Sequence, residues 1–257
     1  MLRTVFILPV AGLLCGACAT PPAPVPPSPP AFQFEADAGD PARTGVEANV
    51  GAGRETIEHF FGLPFADPVT VKLGANRQAF DASLPQDWGL APTQCWMVGV
   101  GVADWVAILS PAAWPEEACE HDSADARHVQ DIITHEMVHT FHGQRNPTRD
   151  FTGMDDTGWF VEGLAVYVSG QLDSSHLASA ADAVAAGAAP KALESAWSGK
   201  YRYGVSGSLV AYIDDRFGRP MLISLLDATT EAEILDRLGL TEEALLAGWE
   251  AWVISRS

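Results

Sequence analysis

The sequence predicts an α+β protein: a small N-terminal mixed sheet packed on one central helix, followed by a mostly helical C-terminal half. Three observations lead there. The β-branched, alternating stretches "PVTVKLG" and "WMVGVGVADWVAIL" both fall before residue 110. Beyond residue 125 apolar residues recur at helical spacing. No internal repeat runs through the chain, so strands precede helices instead of alternating with them.

At 257 residues, with 47% hydrophobic and 19% charged residues, the chain can bury one sizeable core. It carries 33 Asp and Glu against 15 Lys and Arg, a net charge of −18 that repels phosphate backbones and excludes nucleic acid as the expected partner.

The first residues read as an export signal. "MLRTVFILPVAGLLCGACAT" has one positive charge, an apolar run from Val5 to Leu14 and then small residues, too short a pattern for a spanning helix. Residues 1–17 are expected to be removed, and two routes compete. "CGAC" resembles a bacterial lipobox that leaves Cys18 lipid-modified, with Cys15 where an aliphatic residue is usual. Alternatively Ala17 and Ala19 form a small-x-small cleavage site and give a soluble secreted protein. Either address is the cell envelope or beyond, with a membrane reached only through the N-terminal lipid. Seven prolines between Pro21 and Pro30 predict an extended, semi-rigid spacer, and residues 18–45 are expected as a tether ahead of a domain at 46–257.

Within that domain "VEANVGAGRETIEHFFG" places Ile57, Phe60 and Phe61 at helical spacing, stopped by Gly62 and Pro64. Val69 to Leu73 alternates as a strand, and "RQAFDASL" reads as a short helix. "CWMVGVGVADWVAILSP" reads as two strands joined near Ala103 and Asp104. Its "GVGVAD" lacks the glycine order of a nucleotide loop and fits a hairpin or bulge. Cys95 and Cys119, an isolated pair in an oxidising compartment, are expected to form a disulfide worth about 3 kcal/mol.

Ser123 can cap a helix over about Asp125 to His142, with Val129, Ile132, Ile133, Met137 and Phe141 as its packing face and Gly143 as its stop. After a polar loop, a second helix covers about Gly158 to Ser169. "LASAADAVAAGAAPKALES" is helical or a mobile insert, and "SGSLVAYIDDRFG" and "EEALLAGWEAWVIS" complete a helical C-terminal half.

The chemistry lies in "DIITHEMVHTFHG". His135 and His139, four apart on a helix, sit about 40° apart around the axis and about 6 Å apart along it, so both imidazoles can reach one Zn²⁺. Glu136 stands beside them, placed to accept a proton from an attacking water rather than to bind metal. A solvated, histidine-rich helix face is the competing reading. Ile132, Ile133 and Met137 around the motif argue against it, because buried imidazoles and a carboxylate are costly unless something satisfies them. His142 is about 10 Å along the axis from His135 and reads as a helix-end residue supporting the site. The metzincin pattern fails, since His142 and Arg145 stand where it needs Gly and His.

Glu162, in "GWFVEGLAVY", follows His139 by 23 residues. HExxH followed by this segment resembles the gluzincin zinc peptidases, the thermolysin-like group. The resemblance covers about residues 103–220 and is specific at 135–167. It implies a zincin-like fold, one zinc held by His135, His139 and Glu162, Glu136 as the base, and a peptide or protein substrate. It also implies an edge strand that pairs with the substrate backbone, for which residues 103–109 are the candidate and an ordinary core strand the alternative. A tyrosine that steadies the oxyanion is implied as well; Tyr203 fits best, Tyr201 is next, and a packing role competes. Gly163 and Ala165 would let two helices approach closely. Val166 replaces the acidic residue that supports a zinc histidine in thermolysin, leaving Asp131, Asp155 or Asp156 as partners of the histidines. The competing function is a zinc-stabilised binding or assembly module, which has no use for Glu136.

Overall fold

A computed structural model describes residues 31–256. The signal segment, Cys18 and the Pro21 to Pro30 run lie outside the described residues. Strand β1 (Phe32–Ala36) is followed by α1 (Arg43–Phe61), β2 (Val69–Gly74) and α2 (Arg77–Ser83). The hairpin β3 (Gly99–Val102) and β4 (Trp105–Leu109) comes next, then the short α3 (Trp114–Glu117) and the central α4 (Ala126–Gly143). The remainder is helical: α5 (Gly158–Ser169), α6 (Ser174–Ala185), α7 (Arg202–Phe217), α8 (Arg219–Ser224), α9 (Glu231–Leu238) and α10 (Glu242–Ile254). The chain is α+β, as its element order predicts.

The sheet order is β1-β2-β4-β3, with β1, β2 and β4 parallel and β3 antiparallel to β4. The mixed sheet follows from the connections. Helix α1 carries the chain from β1 to its parallel neighbour β2, whereas only Ala103 and Asp104 separate β3 from β4.

Two expectations change here. The fold includes Phe32–Ala36, ahead of the start expected at 46, because β1 lies inside the stretch expected as tether. "FQFEA" alternates, half-burying Phe32, Phe34 and Ala36 and exposing Gln33 and Glu35. The Phe32 ring meets Phe65 edge-on at 5.1 Å. The second concerns residues 103–109, where the ordinary core strand is the outcome: β4 is interior, and β3 is an edge of the sheet.

Helix α1 buries Val46, Val50, Gly53, Ile57 and Phe61, a stripe of period three to four, and ends at Gly62 with φ 66°. Its start is tied to the sheet by buried Asp40, which accepts from Ala42 N–H at 2.8 Å and from the Ser110 hydroxyl at 3.0 Å.

Helix α4 runs through the centre, against α1, the β3–β4 hairpin and α5. All five residues of its expected packing face are buried. Its cap is Asp125, whose Oδ1 accepts from Arg127 and His128 N–H at 2.9 and 3.2 Å; Ser123 lies too far upstream to reach those donors. Gly143 is the last helical residue, one beyond the expected end at His142, and Gln144 caps it with N–H bonds to the Thr140 and His142 carbonyls. Gly163 serves a different approach from the one expected of it. A Cβ there would lie 2.4 Å from the Ser206 carbonyl oxygen, so it seats α5 on α7. Among the described residues no helix is long and apolar enough to cross a membrane.

Candidate metal centre

The Nε2 atoms of His135 and His139 lie 3.1 Å apart on successive turns of α4. Glu162 Oε2, from the first half of α5, is 3.3 Å from the first and 3.6 Å from the second. Tetrahedral ligands at bonds of about 2.0–2.2 Å lie roughly 3.3–3.5 Å from one another, so the three donor atoms are spaced as one ion requires. Both histidines are buried and Glu162 is partly so, and this trio can hold a metal ion.

The loop between α4 and α5 sets where Glu162 stands. Asn146, itself buried, donates to the carbonyls of Leu226 and Ala228 at 3.1 and 2.9 Å, and its Oδ1 accepts from Thr148. This anchors the chain reversal that brings α5 back along α4. Burial alone would raise the Glu162 carboxyl, but the His139 and His135 rings facing it prevail and hold it well below the usual carboxylate range.

Glu136, between the two histidines in sequence, has its carboxyl pushed up to about 7. Burial is the main cause; Glu162 adds to it, while His135 and the Gly101 amide oppose it. Strand β3 lies directly over this residue. A Cβ on Gly101 would sit 2.0 Å from the Glu136 carbonyl oxygen, and one on Gly99 would sit 2.4 Å from Glu136 Cγ. Only glycine at these alternate strand positions lets the edge strand close over the helix.

The supporting residue of His135 is none of the three acids considered. Gln171 Oε1 lies 2.7 Å from His135 Nδ1, just beyond the end of α5. Asp131 is committed to Arg127 at 3.5 Å, and Asp156 accepts from Glu231 N–H at 3.0 Å. Asp155 lines the cleft without contacting either imidazole. For His139, Nδ1 is buried and has no hydrogen-bond partner among the described residues.

His142 lies off the metal cluster, fully buried against Phe151 and Phe160 at ring distances of 4.9 and 5.8 Å. Burial first, then His139, lowers its pKa to about 3, partly opposed by the Leu226 carbonyl.

The cluster opens into a cleft of about 870 Å³ bounded by β3 on one side and the start of α7 on the other. Tyr203 lines this cleft and Tyr201 does not. The Tyr203 ring packs edge-on against Trp197 at 5.0 Å and near His176 at 5.9 Å, so it has a packing role whatever else it does. Because β3 is the edge, the strand expected at residues 103–109 is replaced by Gly99–Val102 as the one facing the cleft.

Cys95 and Cys119 are disulfide-bonded, with Cα atoms 5.2 Å apart. They pin the segment leading into β3, whose Trp96 carbonyl accepts from His121 Nε2 at 2.7 Å. Sequence reasoning missed Gln171, the clamp of β3 on Glu136, and Trp197. The alternate glycines of "GVGV" were a readable signal for the second; no local pattern marks the others. No protein-family model, curated protein or solved structure matches the chain.

Proposed function

We propose that the protein is a zinc-dependent peptidase of gluzincin type, with zinc held by His135, His139 and Glu162. The observation that carries this reading is the 3.1–3.6 Å convergence of three donor atoms beside Glu136, inside a cleft walled by an edge strand. When bound, zinc supplies a Lewis acid that acidifies water and polarises a carbonyl. An extended peptide adds to the outer edge of β3, where strand backbone groups face the cleft rather than another strand. Glu136 takes the proton of the attacking water and passes it to the leaving amine. Tyr203 donates a hydrogen bond to the developing oxyanion. Gln171 fixes the His135 tautomer by accepting from Nδ1–H, leaving Nε2 free to ligate.

The same reading places the protein in the bacterial envelope, periplasmic or extracellular, joined to a membrane by lipid on Cys18. The disulfide supports an oxidising compartment.

Metal content and a peptide-library digest test the proposal together. The purified protein should carry about one zinc per chain and cleave peptides. Glu162→Ala should lose stoichiometric zinc. Glu136→Gln should keep it while hydrolysis falls by several orders of magnitude, and Tyr203→Phe should lose about 10²-fold. Zinc retained in Glu162→Ala refutes the ligand set. Zinc with no cleavage of any peptide replaces the peptidase by a binding module.

A further inference from the structure

Among the described residues lining the cleft, Arg202 is the sole lysine or arginine. Among the described residues it makes no ion pair, although the chain has an excess of carboxylates and most of the other described arginines are paired. Arg149 meets Asp67 and Asp104, Arg219 meets Asp214, and Arg256 meets Asp215. Arg77 and Arg145 are instead committed to backbone carbonyls. Glu120, Asp150 and Asp155 share the cleft with Arg202, yet none neutralises it.

Aromatic rings hold the side chain. Its guanidinium carbon is 4.9 Å from the Tyr203 ring centroid and 5.8 Å from that of Trp197. Packing against ring faces orients a guanidinium while leaving its in-plane N–H groups available, and that fork matches a carboxylate in bidentate fashion. The feature is a pre-positioned cation, with no carboxylate partner among the described residues, in a cleft that also holds acidic groups.

We propose that Arg202 determines specificity by binding a carboxylate of the substrate, from an acidic side chain or from a free C-terminus. The inference deepens the peptidase reading and rests on it. Glu120, Asp150 and Asp155, which line the same cleft, sharpen the choice by repelling a carboxylate placed near them. A carboxylate is tolerated only in the register that places it on Arg202, so one group fixes how the peptide lies along β3.

The test measures binding in the full zinc-loaded chain carrying Glu136→Gln, which prevents turnover. The probes are N-acetylated pentapeptide mixtures in matched pairs: Glu against Gln at each position in turn, and free C-terminal acid against amide. One kind of pair should favour the carboxylate member by about 10- to 100-fold, which identifies its source. Adding Arg202→Gln should abolish that preference and leave the neutral peptides bound as before, while Arg202→Lys should retain part of it. If no pair discriminates, or if Arg202→Gln weakens acidic and neutral peptides equally, the proposal is overturned. Cleavage of the same peptides by the parent reports separately on the peptidase. Discrimination without cleavage removes the peptidase and keeps Arg202 as a carboxylate-binding residue; cleavage without discrimination does the reverse.

Discussion

Gln171 Oε1 lies 2.7 Å from Nδ1 of His135, and this contact decides which nitrogen of the imidazole carries the proton. An amide oxygen accepts, so Nδ1 donates and Nε2 presents its lone pair toward His139 and Glu162.

On the zinc reading proposed above, Gln171→Ala should therefore weaken metal binding by about 10- to 100-fold without altering the fold. Competition against a chelator of known affinity measures the first, and circular dichroism of the zinc-free proteins checks the second. Unchanged affinity would show that the contact orients nothing.

The clamp of β3 on α4 makes a second outcome specific. Gly101→Ala puts a methyl group 2.0 Å from a backbone oxygen of Glu136, which neither a rotamer change nor a small shift relieves. The expected loss is about 2 kcal/mol or more, with β3 displaced from the cleft. Gly51→Ala, on the exposed face of α1 with nothing within 4 Å of its Cβ, should instead gain about 0.5–1 kcal/mol. Urea unfolding of the two variants would give opposite signs; equal and small effects would remove the clamp.

Strand β1 gives a third. A chain starting at residue 38 keeps Asp40 and all of α1 but loses the strand that pairs with β2 from Phe32↔Val69 to Ala36↔Leu73. It should lose about 2–3 kcal/mol relative to a chain starting at residue 31, from the partly buried Phe32 and Phe34. It should also aggregate, because β2 becomes an exposed edge. Coincident urea midpoints and equal light scattering would mean that β1 contributes nothing.

That strand also shows where the sequence was legible and where it was not. Helix α5 was readable to its ends, and so were the β3–β4 hairpin and the disulfide pair, because periodicity, turn residues and cysteine count are local signals. His135, His139 and Glu162 were readable because HExxH and the later glutamate are themselves a pattern. β1 was missed because five alternating residues directly after a Pro-rich run carry little weight until β2 supplies the partner. The edge strand was misplaced because strand order is set by non-local pairing: nothing in "VADWVAIL" says that β2 will claim one side of it. Gln171 belongs to the same class. Its role exists only once α5 lies against α4, and the favoured candidates Asp131, Asp155 and Asp156 were chosen for charge rather than for position.

The last prediction follows from His142. Its ring is fully buried between Phe151 and Phe160, and burial holds its pKa at about 3, against about 6.5 in an unfolded chain. As pH falls below about 6.5, the unfolded chain takes up a proton at this ring while the folded chain does not. Stability from His142 is thus complete above pH 6.5 and is lost progressively as pH falls toward 3. Between pH 7.5 and pH 4.5 that loss is about 2–3 kcal/mol for this one group. His142→Leu fills similar space among the same rings, has no proton to take up, and removes two buried ring nitrogens that make no full hydrogen bond among the described residues, the Leu226 carbonyl acting on the ring only weakly. Other titrating groups are common to both proteins and cancel. Urea unfolding of chelator-treated parent and variant at the two pH values should therefore show the variant gaining on the parent by that amount as the solution is acidified. A stability difference that stays constant with pH would mean that His142 is protonated as readily in the folded protein as in the unfolded one.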